Sequence, residues 1–131
     1  MENWVKLRHD CSPFVIFTKL RLGAEEDVKT RNELKKPEEK VSFKLVANGD
    51  RFAVLREGTS GAYASVVFKC TESEISAHPE AGQSHQRASA DPLRATLTLT
   101  NEGDCKLKTD KEELTCWQFR KKVLEDLFFN F

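Results

Sequence analysis

Few residues of this chain combine the types and the spacing that enzyme chemistry requires. Its histidines are His9, His78 and His85. His9 precedes Asp10 and Cys11, but consecutive residues of a strand or turn point in different directions, whereas a nucleophile and its base converge from separate segments. His78 and His85 fall in a polar stretch that favours disorder over a preorganised site. We therefore predict no catalytic residue and expect that the chain is not an enzyme.

The cysteines give no signature of a metal or redox site. No Cys-x-x-Cys pair occurs among Cys11, Cys70, Cys105 and Cys116. The sequence also lacks a phosphate-cradling glycine loop, a Gly-x-Ser-x-Gly motif and metal-ligand spacing. We predict no metal site and no cofactor. Most of the cysteines fall at apolar positions typical of small buried side chains, and their spacing does not indicate a disulfide.

The net charge bears on which partners the protein can bind, and the N-terminal residues bear on its cellular compartment. Lys plus Arg number 21 and Asp plus Glu number 21, so the basic excess of most nucleic-acid binders is missing and no nucleic-acid partner is expected. The N-terminus carries no apolar signal segment, and no stretch approaches the roughly 18 apolar residues of a membrane span. This pattern predicts an intracellular protein, cytoplasmic or nuclear, with reduced cysteines.

The N-terminal segment is predicted to form two strands. Asn3–His9 is a short candidate strand, and Phe14–Leu22 is a longer one. Alternation along the second strand places Phe17, Lys19 and Arg21 on one face, which therefore begins apolar and ends basic. We therefore expect the apolar half of this face to be covered by another element of the protein or by a partner.

Two polar segments are predicted to be mobile loops. The segment at about 24–40 mixes acids with bases, and Pro37 stops a helix there. The segment at about 72–92 is rich in Ser, Ala, Glu and Gln and nearly free of large apolar residues. We expect a single domain, residues 1–131, with both loops on its surface.

The clearest hairpin is predicted at Val41–Glu57. Asn48-Gly49 is the dipeptide preferred in a two-residue turn. With these two residues as the loop, Ala47 pairs with Asp50 and Phe43 lies on the same face as the large apolar residues of the second strand.

Three more strands follow the hairpin. Ala62–Thr71 is a strand with Tyr63 on its outer face. Leu93–Thr100 alternates apolar and polar residues as a half-buried antiparallel strand does. Cys105–Lys108 continues the sheet after a three-residue loop that ends at Gly103, a residue suited to the left-handed conformation.

Residues 110–131 predict the one long helix. On a helical wheel Trp117, Leu124 and Phe128 form a stripe that faces the core. The apolar arc is wider than a helix covering a sheet requires, so part of it is available to a partner. Arg120 lies inside this arc and must extend to solvent or find an ion-pair partner.

This order of elements resembles the pleckstrin-homology-like superfold, in which a bent barrel of seven strands is capped by a C-terminal helix whose Trp packs into the core. The resemblance covers the whole chain and is carried by element order and Trp117. It implies an α+β, mainly β fold, with about seven antiparallel strands in a barrel or sandwich capped by one C-terminal helix. Phosphoinositide-binding members carry a Lys on the first strand and a basic-x-basic pair on the second, and Lys6 with Lys19-Leu20-Arg21 looks like that pattern.

The sequence leaves three hypotheses for function. The first is a protein–protein interaction module, an adaptor or a subunit of a larger complex, which binds a protein or peptide partner through surplus apolar residues: Phe17, Tyr63, Phe119, Phe128, Phe129 and Phe131. The second, implied by the resemblance, is a domain that binds phosphoinositides at a membrane surface through Lys6, Lys19 and Arg21. The third is a β-sandwich head domain of a dimeric coiled-coil scaffold, whose helix dimerises through Leu124, Leu127 and Phe131. The oligomeric state is left open.

Overall fold

A computed structural model describes residues 3–58, 63–81 and 92–131. Within these residues the elements follow the order α1 (Trp4–Asp10), α2 (Pro13–Glu33), β1 (Val41–Asn48), β2 (Arg51–Gly58), β3 (Tyr63–Cys70), β4 (Ile75–Ala81), β5 (Leu93–Leu99), β6 (Cys105–Lys108), β7 (Glu113–Leu114) and α3 (Cys116–Phe129). The strands form one antiparallel sheet, each beside the next along the chain. The predicted α+β, mainly β class is confirmed. The sheet is open rather than closed into a barrel, and its strands followed by a C-terminal helix are compatible with a pleckstrin-homology-like fold.

The N-terminal segment is helical, so the strands predicted at Asn3–His9 and Phe14–Leu22 are wrong. Buried side chains recur along α2 at helical spacing: Ile16, Phe17, Leu20, Ala24, Val28 and Arg31. This spacing of three and four residues continues past the segment in which alternation suggested a strand, and a proline in the first turn favours a helix start. Because α2 ends at Glu33, the loop predicted at about 24–40 is wrong for residues 24–33.

The β1–β2 hairpin forms where the sequence predicts one, but its two-residue turn is Gly49-Asp50 rather than Asn48-Gly49, and the register differs accordingly. Ala47 pairs with Phe52 rather than with Asp50. The shift amounts to two residues on the second strand, and an even shift leaves each side chain on its predicted face. Phe43 therefore still faces the core.

Two strands, β4 and β7, were not predicted from the sequence because they contain few large apolar residues. β4 lies inside the segment predicted as a loop at about 72–92, so that prediction is wrong for residues 75–81, and residues 82–91 lie outside the described parts of the chain. β7 lies inside the segment predicted as a helix, which delays the start of α3 to Cys116. The strands predicted around Gly103 are confirmed, and Gly103 has the expected positive φ of 93°.

The core lies between the sheet and the two long helices, and aromatic rings cross it from one helix to the other. Phe17 of α2 has its ring centroid 5.1 Å from that of Phe52 on β2, which stacks at 4.4 Å on Phe68 of β3. Phe68 in turn lies 6.3 Å from Phe119 of α3. Both helices therefore pack on the same face of the sheet, and alternate residues of each strand point away from them.

Trp117 does not take the core position that the sequence predicts. It is 57% exposed, whereas Phe119 is 0% exposed. Two residues apart on a helix point about 160° away from each other, so only one of the two can face the sheet in the first turn of α3. The sheet packs against the side of α3 that carries Phe119, and Trp117 is left exposed on the opposite side.

A disulfide between Cys11 and Cys105 joins the corner between α1 and α2 to the start of β6. The Cα atoms lie 5.4 Å apart, and 94 residues separate the cysteines along the chain. Spacing in the sequence did not indicate this pairing, and the expectation that all cysteines are reduced is wrong.

Cys70 and Cys116 are free, and burial raises the pKa of both thiols. Because α1 buries no residue of its own, the disulfide is the main anchor of the N-terminal corner.

Replacing both Cys11 and Cys105 with Ser should lower the free energy of unfolding by about 2–4 kcal/mol, because the crosslink closes a long loop in the unfolded chain. Urea unfolding under non-reducing conditions measures the change. Cys116→Ser is the control and should match the parent. Equal stability of the parent protein with and without reductant would contradict the assignment.

Candidate functional site

Two arginines reach the C-terminal end of α3. Arg31 of α2 donates from Nε to the carbonyl of Phe128 at 2.9 Å, and Arg56 of β2 donates from Nη1 to the carbonyl of Leu127 at 2.9 Å. The last carbonyls of a helix lack partners inside the helix and carry partial negative charge. The two guanidinium groups therefore cap α3 from two different elements and fix its end against the sheet.

Arg31 is the more deeply placed of the two and is 5% exposed. Its two terminal nitrogens donate to the carboxylate of Glu39 at 3.1 and 3.0 Å, a bidentate pair. Glu39 also accepts from the Lys36 backbone at 3.1 Å. The hydrogen bonds from Arg31, followed by that from Lys36, hold the pKa of Glu39 below its ordinary value.

Aromatic rings stack on both guanidinium groups. The Cζ atom of Arg31 lies 4.9 Å from the ring centroid of Phe43 and 5.1 Å from that of Phe129. The Cζ atom of Arg56 lies 4.2 Å from the ring centroid of Phe131. Such cation–π contacts favour one placement of each ring. We call Phe129, Phe131 and Arg56 the C-terminal aromatic patch.

Of the residues predicted to bind a partner, two are exposed and three belong to the core. Phe129 is 63% and Phe131 is 60% exposed, whereas Phe17, Phe119 and Phe128 are buried. Phe17 is buried because it lies on a helix that faces the sheet rather than on a strand face. Phe128 packs edge-on against Phe43 at 5.1 Å. The side chain of the sixth predicted residue, Tyr63, lies outside the described parts of the chain.

The residues predicted to bind phosphate are not arranged as the strand prediction required. Lys6 lies on α1 and pairs with Asp10 at 2.8 Å. Lys19 and Arg21 lie on α2, where a separation of two residues points them about 160° apart instead of to one face. Arg21 pairs with Glu25 on its own helix at 2.8 Å. The predicted grip of one phosphate by this pair is therefore wrong.

The helix face predicted to form a coiled coil is covered by the protein's own sheet. Leu124 and Leu127 are buried, and only Phe131 of that predicted set is exposed. Leu124 and Leu127 are therefore part of the protein's own core and are not free to form a helix dimer, while Trp117, Phe129 and Phe131 stay exposed.

Arg120 has the partner that its place in the apolar arc required. Its Nε donates to Asp27 of α2 at 2.6 Å. The guanidinium crosses α2 at Gly23, where a Cβ atom would collide with it. Of the two outcomes expected for Arg120, extension to solvent or an ion-pair partner, the structure shows the ion pair, which fixes α2 against α3.

Arg31 and Arg56 are absent from the candidate residues of the sequence analysis. Arg31 continues the helical stripe of Leu20, Ala24 and Val28. Once residues 13–33 are interpreted as a helix, Arg31 is recognised as a cation inside an apolar face. Arg56 has the same strand parity as buried Val54, which marks it as an inward-pointing charge. Both signals are readable from the sequence once the elements are assigned correctly.

Among residues 3–58, 63–81 and 92–131, no three His, Cys, Asp or Glu side chains cluster closely enough to hold a metal ion. No helix of these segments has the length and apolar character needed to cross a bilayer. A shallow groove of about 310 Å³ lies beside β5 and β6, lined in part by Glu74, Arg94, Thr96, Lys108 and Asp110.

Comparison with known proteins adds no relative. Searches against protein-family models, curated proteins and solved structures each found no match to this chain. The function therefore has to be argued from the residues of the chain itself.

Arg31→Met should lower the free energy of unfolding by about 2–3 kcal/mol, because it removes a buried cation and leaves the Phe128 carbonyl without its donor. Arg21→Met is the control, since it breaks only a half-exposed pair on one helix and should cost about 0.5 kcal/mol or less. Urea unfolding of both variants measures the difference. Similar values for the two variants would show that Arg31 is not a structural centre.

Stability should also depend on the ionisation of Glu39. Its pKa in the folded state lies below the ordinary 4.5, so its stabilising contribution is present above that value and is lost as the pH falls through the lowered pKa. We expect the stability difference between the parent and Glu39→Gln to be largest near neutral pH and to shrink in acid. Urea titrations from neutral to acidic pH measure it, and a difference independent of pH would contradict the assignment.

Proposed function

We propose that this chain is a non-enzymatic protein–protein interaction module whose partner docks on the C-terminal aromatic patch. The observation that carries the proposal is the fixed placement of two exposed Phe rings. Each ring lies on a guanidinium group that is itself hydrogen-bonded to a carbonyl of α3. Large apolar side chains that are both exposed and held in position are typical of binding surfaces.

The residue types of the patch suit a binding hot spot. Aromatic residues and arginine are enriched among the side chains that contribute most to protein–protein affinity. Rings already ordered in the free protein lose little conformational freedom on binding, so more of the interaction energy appears as affinity.

The charges around the patch favour a partner with an acidic group. Arg31 is neutralised by Glu39, whereas Arg56 makes no ion pair with any residue in the described part of the chain. Burial lowers the pKa of the Arg56 guanidinium, and an arginine remains charged under such a shift. The partner should therefore be a protein segment whose apolar side chains cover Phe129 and Phe131 and whose carboxylate pairs with Arg56.

The position of the patch is partly like the place at which pleckstrin-homology-like domains bind peptides. In that superfold, peptides commonly lie between the C-terminal helix and a neighbouring strand, the fifth or one near it, whereas the strand here is β2. Here Arg56 of β2 and Phe131 beyond α3 bring a strand and the helix end together. This likeness supports the proposal without identifying the partner.

The disulfide bears on where the chain works. Disulfides persist in oxidising compartments and are rare in the reducing cytosol. We therefore propose an environment that keeps Cys11–Cys105 oxidised, in place of the intracellular location predicted from the N-terminal residues.

Selection from a displayed peptide library on the purified protein tests the docking surface directly. We expect the selected peptides to combine large apolar residues with at least one Asp or Glu. Replacing Phe129 and Phe131 together with Ser should weaken their binding about thirtyfold or more, since truncated hot-spot residues cost about 2 kcal/mol or more.

Trp4→Ser/Phe14→Ser provides the matched control, because it removes two other exposed aromatic residues from α1 and α2. This control should leave peptide binding unchanged. Peptides that bind both double variants equally, or that contain no acidic residue, would overturn the proposal.

A further inference from the structure

The sheet face that points away from α2 and α3 carries a row of cations. Arg51 of β2 stands directly opposite Lys69 of β3, Lys69 stands opposite Ser76, and Ser76 stands opposite Arg94 of β5. On β6, Lys106 and Lys108 stand opposite Thr98 and Thr96. We call these cations the basic face: Arg51, Lys69, Arg94, Lys106 and Lys108.

Most of the charge on the basic face is not neutralised by the protein itself. Arg94 pairs with Glu74 at 3.0 Å, and Arg51 approaches only its neighbour Asp50, at 3.8 Å. Within residues 3–58, 63–81 and 92–131, Lys69, Lys106 and Lys108 make no ion pair. Glu113 stands opposite Lys108 in register without forming one.

The pairing of Arg51 with Lys69 opposes stability. Like charges directly opposite each other on a sheet destabilise it, and opposite charges stabilise it. The same face shows the stabilising arrangement elsewhere, since Lys44 and Glu57 on β1 and β2 pair at 3.3 Å. The chain as a whole has as many acids as bases, so the excess on the basic face does not follow from composition. Unfavourable local charge of this kind is typical of a surface kept for binding.

The groove of about 310 Å³ opens on the basic face between Arg94 and Lys108. Thr96 lies between them, and its hydroxyl is a hydrogen-bond donor that a carboxylate can use. Glu74 and Asp110 also line the groove, and Arg94 already neutralises Glu74. The acids of the lining equal its bases in number and disfavour a string of phosphates, whereas Lys108 and the Thr96 hydroxyl are groups that one acidic side chain can use.

We propose that the basic face binds an acidic segment of a partner polypeptide, whose carboxylates pair with Lys69 and Lys106 and place one side chain between Arg94 and Lys108. A partner of opposite charge relieves the repulsion between Arg51 and Lys69. Complementary charge also speeds association and excludes partners of the wrong sign.

Two other anionic partners fit the basic face less well. Proteins that bind single-stranded nucleic acid combine cations with exposed aromatic rings on which bases stack. The cations of the basic face and the residues that stand opposite them, Ser76, Thr96 and Thr98, include no such ring. A membrane surface is met by basic residues mixed with large exposed apolar ones, and most of the large exposed apolar residues of the described chain lie on or beside the helices, as Trp4, Phe14, Leu22 and Phe129 do.

This surface is separate from the C-terminal aromatic patch. Phe129 and Arg56 lie on the helix-covered side of the sheet, whereas the basic face lies on the opposite side. Either surface can lose its partner without affecting the other.

Fluorescence anisotropy with a short labelled peptide of alternating Glu and Thr tests the proposal, with an alternating Gln and Thr peptide as reference. The parent protein should bind the Glu peptide but not the Gln peptide. Its affinity for the Glu peptide should fall as the salt concentration is raised. Lys69→Glu/Lys106→Glu should weaken binding about tenfold or more. Lys29→Glu/Lys40→Glu makes the same change in net charge at exposed positions outside the basic face and should stay within about twofold.

Thermal unfolding gives a second readout. Lys69→Glu turns the pair with Arg51 into one of opposite charge, so its Tm should rise by about 1–4 °C while peptide binding falls. If Lys69 had only a structural role, Lys69→Glu should instead lower the Tm. If the double charge reversal unfolds the protein, Lys69→Gln/Lys106→Gln supplies the same comparison.

Equal loss of binding in the control variant, or no binding of the Glu peptide, would overturn the proposal. Tighter binding of an oligothymidylate or of phosphatidylserine vesicles than of the peptide would overturn the choice of a polypeptide partner.

Discussion

The arrangement of the helical layer depends on the burial of one guanidinium group. Removing a charge from water is costly unless the charge is paired and hydrogen-bonded, and Arg31 donates to the Phe128 carbonyl and, through both terminal nitrogens, to the carboxylate of Glu39. Its flat faces are covered by Phe43 and Phe129. One side chain of α2 thereby fixes the turn at residues 36–39, the first strand and the end of α3. The pair of Arg120 with Asp27 holds the same two helices further along.

The exposed surface at the end of α3 is a consequence of that buried centre. Phe129 lies on the outer side of Arg31, and Phe131 lies on Arg56, the second arginine that caps α3. Helix ends often fray because their last carbonyls are unpaired. Here the carbonyls of Asp126, Leu127 and Phe128 accept hydrogen bonds, so the aromatic rings at this end are presented in a defined position. The proposed binding surface therefore needs no element beyond those that stabilise the fold.

The sequence supports the fold class and the sheet better than it supports the helices and the site. Strands such as Leu93–Leu99 alternate clearly, and turn residues such as Gly103 locate the hairpins. Between Phe14 and Leu22 the same residues satisfy alternation and helical spacing, and only packing against the sheet decides between them. The choice of Phe119 over Trp117 for the core, and the Cys11–Cys105 pairing across 94 residues, depend on where distant elements lie. Local pattern contains no information on such distances.

The cations of this protein divide into two groups that composition alone cannot separate. Arg31 and Arg120 lie in the helical layer and each has a carboxylate partner. Lys69 and Lys106 lie on the far side of the sheet and have no ion pair within the described residues. Each ion pair of the helical layer uses one acid and one base, so the remaining charges still balance, and the cations of the basic face are offset by acids elsewhere in the chain. A net charge of zero is therefore compatible with a strongly polarised surface, and the absence of a basic excess says little about anionic partners until the positions of the charges are known.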